Sequence, residues 1–427
     1  MPKPRLQEVT LRLSREFVST LAALFLSFAT VEIAGCKLPV FPVFPEGFRE
    51  FAYVANNTGN TVTVLDLVYL RPDRTLNVGT SPVALAVNPK RDEVYVVNSQ
   101  PTQVAGSITV IDTTKNAVVA TIPVQRNPNY MSVDATGQRA FVANTGSNTV
   151  SVLDLAQRKV IATVATGDKP TVAQISPDGR TLVVANRGTG TVALYASTIP
   201  AVPPVNAPVD RTVPAPLTLR STFTGCAGAA DAVILPDSSR VFIACSFTHH
   251  VMSIWLAAAA DSWSAKQDAS LTADHLLALL DVGENPTNLT MKPDGGEVFA
   301  SNRDSGSISE ILTQTSEVGS TYAIGNRPAH GVVSADNGAL WIANAGGEAI
   351  SLYSIADGKF VSSIRTGIAP DALAFSDPEQ MLLAADTGSG DVAVIRTSSK
   401  LGPALFTILP AGGSPVAIVV KGMPARP

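Results

Sequence analysis

Few residues in this chain are equipped for chemistry, and its four histidines are the place to begin. His330 stands two residues after Pro328 in the run PAHGVV, where a strand would fix its imidazole. That makes it the candidate for a catalytic base or an axial ligand. His249 and His250 are adjacent, and neighbours on an extended chain point to opposite sides, so a shared metal site is not expected. His275 falls in a long polar insertion and is expected in solvent. A second set is basic or aromatic: Arg126, Tyr130, Lys169, Arg187, Arg303 and Arg327 recur near equivalent points, interleaved with Asp168, Glu284, Asp304 and Asp371. Mixed signs are what a solvated surface shows; converging with His330, the same residues would hold an anionic small molecule or a glycan. The chain has no Gly-x-Ser-x-Gly elbow, Walker loop, His-Glu-x-x-His pair, Asp-x-Asp calcium loop or Cys-x-x-Cys-His haem motif. No metal and no cofactor is therefore expected.

The elements that must position these residues come from a repeat. YVANNTGNTVTVLD (Tyr53 to Asp66) returns as FVANTGSNTVSVLD (Phe141 to Asp154). The residue ending each such second strand is Asn56, Asn98, Asn144, Asn186, Cys245, Asn302, Asn344 and Asp386. Sixteen positions before the last seven lies Pro82, Pro128, Pro170, Ala229, Pro286, Pro328 or Pro370. Pro415 has no such strand after it and Asn56 no Pro strand before it, so the two halves complete each other. Within a unit, short runs rich in Val, Thr and Ile are joined by turns rich in Gly, Asn and Asp, which reads as a four-stranded antiparallel meander. One such sheet has two apolar faces and cannot bury both alone; stacked around an axis, the sheets cover one another. The expected fold is an all-β propeller of eight blades, with seven as the alternative if the Cys245 unit is degenerate. It is closed by pairing SPVAIVV (Ser414 to Val420) with the strand from Phe51. The anchor Asn is expected to hydrogen-bond the backbone of the next turn.

The GxxP, PDG and YVxN signatures together resemble the YVTN-repeat β-propeller family of secreted and surface-layer proteins, over residues 51–422. The resemblance implies a fold much more than a function. It places the GxxP loops and the turns after the anchors at the mouth of a central channel.

Residues 1–35 read as a secretory leader: Lys3, Arg5, Arg12 and Arg15 precede the apolar run FVSTLAALFLSFA, which is too short to span a bilayer. The segment ends Ile-Ala-Gly-Cys36, similar to a bacterial lipobox, with Glu32 an unusual neighbour; the alternative is an ordinary cleaved leader. Cys36 is then the lipidation site and the membrane contact, residues 36–50 a Pro-stiffened tether, and 423–427 a tail. Without residues 1–35 the net charge moves from −4 to −5, which argues against double-stranded nucleic acid as a partner. With Cys36 lipidated, Cys226 and Cys245 remain as a pair in an oxidising compartment. Cys226 lies just before the first strand of its unit and Cys245 ends the second, so the hairpin brings them together as a disulfide. Two insertions, 197–217 and 256–275, leave the same kind of loop on consecutive units and should meet at the end of the disc opposite the mouth. Trp255 and Trp263 would be the anchors of a docking lobe there, if it is more than decoration.

Three functions compete on these grounds. The first is a non-enzymatic, lipid-anchored, monomeric module at the cell envelope that binds a protein or glycan; the missing catalytic motifs favour it. The alternative is an enzyme or cofactor handler using the channel mouth, since relatives in the resembling family are similar to haem d1 domains or quinoprotein dehydrogenases and lactonases share the architecture. It needs His330 and the arginines to converge. The third, single-stranded nucleic-acid binding, needs aromatics beside a basic groove, and only Tyr130 fits.

Overall fold

In the computed structural model, the described residues are 46–100, 104–197, 217–257, 272–376, 378, 380–398 and 402–423. The leader, Cys36, the tether up to residue 45, Trp263 and most of both insertions lie outside them, whereas Arg49 and Glu50, expected at the end of the tether, already belong to a strand. Eight four-stranded antiparallel sheets are present, and we number them as blades by their inner strands. Blade 1 has Pro415–Met423 innermost, followed outward by Arg49–Asn56, Thr61–Asp66 and Arg71–Asn77. The inner strands of blades 2 to 8 are Pro82–Val87, Pro128–Val133, Pro170–Ile175, Ala229–Ile234, Pro286–Met291, Pro328–Val333 and Pro370–Ser376. Eight, not seven, is the count, and the Cys245 unit is a full blade, blade 5.

The sheets hold one another as their two-sided apolarity requires. Eight buried clusters each draw side chains from two neighbouring blades, and the last joins blade 8 to blade 1 through Leu383, Val394, Ala52 and Ile418. The ring is shut by the expected clasp: Phe51 pairs with Lys421 and Tyr53 with Val419. Without it Arg49–Asn56 would be an uncovered edge of a three-stranded blade 1, the kind of edge that recruits another chain.

Two local devices set the inner rim. In every blade the residue before the inner strand (Ser81, Asn127, Lys169, Gly228, Asn285, Arg327, Ala369, Ser414) takes a left-handed conformation, with φ between 47° and 74°. The strain is held by tertiary bonding, because its carbonyl accepts the N–H of the residue after the anchor at 2.9–3.3 Å. Next to it the register slips between the first residue of the inner strand and the third, or in blade 7 the fourth, a bulge repeated in blades 2 to 8. Inner-strand side chains are thereby re-aimed at the axis.

The anchor Asn works differently from expectation. Its Nδ2 donates mainly to hydroxyls of the third strand: Asn56 to Thr61 and Thr63, Asn144 to Thr149 and Ser151, Asn302 to Ser307 and Ser309. An amide pointing along its own sheet reaches that hydroxyl pair before it reaches the turn. The anchor also excludes any side chain from the GxxP glycine; a Cβ on Gly79 would sit 2.6 Å from the Asn98 Cγ. In blade 5 the anchor is Cys245, bonded to Cys226 with a Cα separation of 4.7 Å. The stems of the two insertions do touch: Arg220, just after the first, pairs with the buried Asp274 ending the second, at 2.5 and 2.8 Å.

Candidate active site

The inner strands enclose a cavity of about 520 Å³ on the axis. Its wall has two halves. Blades 3 to 7 contribute all its polar side chains, Tyr130, Gln174, Asp231, Asn288 and His330, with aliphatics such as Val233 and Leu289 beside them; blades 8, 1 and 2 contribute apolar residues only, such as Leu373, Val416, Ile418, Val419 and Leu85. Tyr130, Asp231, Asn288 and His330 occupy the same place, two residues into the inner strand, where the bulge turns the side chain.

Asp231 is the acid of the site. Its Oδ2 accepts from Asn288 Nδ2 at 2.8 Å and from the Leu289 N–H at 2.9 Å, and its Oδ1 accepts from the Ala232 N–H at 2.9 Å. Three donors favour the carboxylate, but burial outweighs them and pushes the group up to about 6. It is ionised at neutral pH and close enough to that point to take up a proton. Asn288 continues the link to the next blade, since its Oδ1 accepts the Gly331 N–H at 3.2 Å. His330 Nδ1 in turn accepts the Leu373 N–H at 3.3 Å. That bond leaves the proton of the neutral ring on Nε2, and burial holds the ring neutral by pushing it down to about 4. On the far side, the Tyr130 hydroxyl donates to Gln174 Oε1, and burial followed by the charge of Asp231 raises its phenol well above the usual range.

The seven residues expected at the mouth are thus divided. Tyr130 and His330 lie within the channel wall. Lys169 and Arg327 are exposed in the left-handed rim turns, and Arg126 is exposed at the end of an outermost strand. Arg187 lies 4.6 Å over the Phe247 ring and donates to the Gly228 carbonyl at 3.2 Å. Arg303 is half-buried at the rim, where its charge opposes the upward push of burial on Asp371. The arginines therefore do not converge with His330. Trp255, at the opposite end, stacks on His275 at 6.4 Å with Arg240 at 6.0 Å. Among the described residues no three His, Cys, Asp or Glu come together as a metal site. Asp231 and Asn288 were not singled out above, although the position that drew attention to His330 identifies both.

Comparison with known proteins bears on this geometry. Residues 52–196 match the family profile described as Lactonase, 7-bladed beta-propeller, about a third of the chain. A search of curated proteins finds no match. Among solved structures, the chain is similar to dihydro-heme d1 dehydrogenase NirN in complex with DHE. That match has 15% identity and a TM-score of 0.67, over 89% of this chain and 77% of that one. It is also similar to a candidate 6-phosphogluconolactonase of Bacteroides fragilis (15% identity, TM-score 0.57, 90% and 99% covered). A third is the hydrazine synthase of Kuenenia stuttgartiensis (17% identity, TM-score 0.51, 85% and 98% covered). At these identities the structures establish the propeller fold. The lactonase match corrects the leaning away from catalysis: missing linear motifs misled, because a propeller assembles its site from different blades, one residue from each.

Proposed function

We propose that this propeller is a hydrolase of cyclic esters acting in its central channel. The observation that carries the proposal is the linked set Asp231, Asn288 and His330 on three successive inner strands, with a base poised near neutrality beside a neutral donor. The Asp231 carboxylate takes a proton from a water, whose oxygen attacks the lactone carbonyl. The carbonyl oxygen gains the electron pair and is met by the Nε2–H of His330. The intermediate collapses, the ring C–O bond breaks, and the proton held by Asp231 passes to the departing alkoxide. Water and lactone become a hydroxy acid, and Asp231 is a carboxylate again. Asn288 is a positioning residue, holding Asp231 through one end of its amide and the Gly331 N–H through the other.

The similarity to NirN raises a haem-handling alternative, which the residues fit poorly. An iron ligand at Nε2 would need the proton moved to Nδ1, where the Leu373 N–H already donates. The cavity wall also has no lysine or arginine to meet haem carboxylates. The test is hydrolysis of γ- and δ-lactones by the wild type, Asp231→Asn and His330→Gln. Loss of about 10²-fold or more in kcat/KM in both variants is expected; an Asp231→Asn enzyme with full activity would end the proposal.

A further inference from the structure

The charge layout of the channel says what kind of lactone it takes, an inference that rests on the channel being the substrate site. Fixed charge in the cavity wall is confined to acid, with Asp231 on the blade 5 strand and neither lysine nor arginine among its lining residues. Lys169, Arg303 and Arg327 sit on the rim turns instead, interleaved with Asp168, Glu284 and Asp304. Facing Asp231, blades 8, 1 and 2 present an unbroken apolar arc including Leu373, Val416, Ile418 and Leu85. A phosphorylated or carboxylated sugar lactone would have to place an anion between a buried carboxylate and this hydrocarbon, with no cation to meet it.

We infer that the channel selects an uncharged lactone with an apolar body, seated on blades 8, 1 and 2, its ester turned to Asp231 and His330. The same layout drives product out. Ring opening makes a carboxylic acid that loses its proton to solvent, and the resulting anion is repelled by the regenerated Asp231 carboxylate out of the channel. Substrate and product thus differ by one charge, and the channel discriminates on that charge.

The test is equilibrium binding, so that it does not depend on turnover. The probes are a hexyl-substituted γ-lactam, which resists hydrolysis, and the straight-chain carboxylate of the same carbon number, titrated at pH 8. The lactam is expected to bind the wild type at least about tenfold more tightly than the carboxylate. Asp231→Asn should improve carboxylate binding relative to lactam binding by about tenfold. Should that variant fail to fold, Ala417→Lys on the opposite arc should favour the carboxylate in the same way. A lactam that does not bind, a carboxylate that binds the wild type equally well, or a preference unchanged in the variants overturns the inference. Selective lactam binding without hydrolysis of the matching lactone would sink the catalytic proposal and leave the selectivity standing; hydrolysis with unselective binding would do the reverse.

Discussion

Blades 3 to 7 and blades 8, 1 and 2 are built from one repeat, yet they wall the channel with opposite chemistry. The first arc is laced from blade to blade by polar contacts: Tyr130 to Gln174, Thr171 to the Ala229 carbonyl at 2.8 Å, Asp231 to Asn288, and His330 to the Leu373 N–H. The second offers alanine at the same strand position, Ala372, Ala417 and Ala84, with larger aliphatics beside it. The fold is shared, so the difference lies in side chains, at the third strand position in blades 3, 5, 6 and 7 and at the fifth, Gln174, in blade 4. A repeat fold separates the residues that close the ring, which are fixed, from those that face its axis, which are free to vary.

That contrast can be broken most severely at Asp231. Asp231→Asn should lower kcat/KM by about 10²- to 10⁴-fold. In the wild type, activity should rise with pH through about 6 as Asp231 ionises, while His330, pushed down to about 4, stays neutral throughout. A profile flat between pH 5 and 7.5 would exclude Asp231 as the base. The disulfide fastens the blade that carries Asp231. Cys226→Ser with Cys245→Ser should cost about 3 kcal/mol of unfolding free energy by urea titration, as expected for closing a loop of 19 residues.

Blade 8, in the apolar arc, should answer to pH in the opposite sense. Its anchor Asp386 replaces Asn and is fully buried. It accepts the Gly367 N–H at 2.9 Å. Burial, reinforced by the neighbouring Asp391, pushes Asp386 up to about 7. A carboxyl raised in the folded state binds its proton more tightly there than in the unfolded chain. Stability is therefore greatest at acid pH and falls as pH climbs from the unfolded value through 7. Asp386→Asn should gain on the order of 2 kcal/mol at pH 8 and almost nothing at pH 4, measured by denaturant midpoints. The smallest effect belongs to the apolar wall itself: Leu85→Ala should raise KM for an apolar lactone about tenfold and leave kcat within about twofold.

The spacing of anchors and prolines carried almost all of the architecture, including the clasp and the disulfide, because strand order in a closed repeat follows from counting. The site was less legible. His330 drew attention through its residue type, but Asp231 sits in the blade where Ala229 replaces Pro and Cys245 replaces Asn, so the register was not carried across to it. Arginines were grouped with His330 because the GxxP loops and the turns after the anchors were expected together at the channel mouth. His330 lies two residues into its inner strand and reaches the cavity, whereas the arginines stay outside its wall. The anchor amide was assigned to the turn because Asx geometry is local, whereas its real partners lie five and seven residues on.

The clasp also sets a timetable. Val416 to Val419 form part of the channel wall, and the pairing that seats them joins Phe51 to Lys421, two residues 370 positions apart in the chain. A nascent polypeptide emerging from the ribosome therefore carries Asp231 and His330 long before any hollow exists to receive a ligand. The wall closes only when the trailing strand slots beside its distant partner.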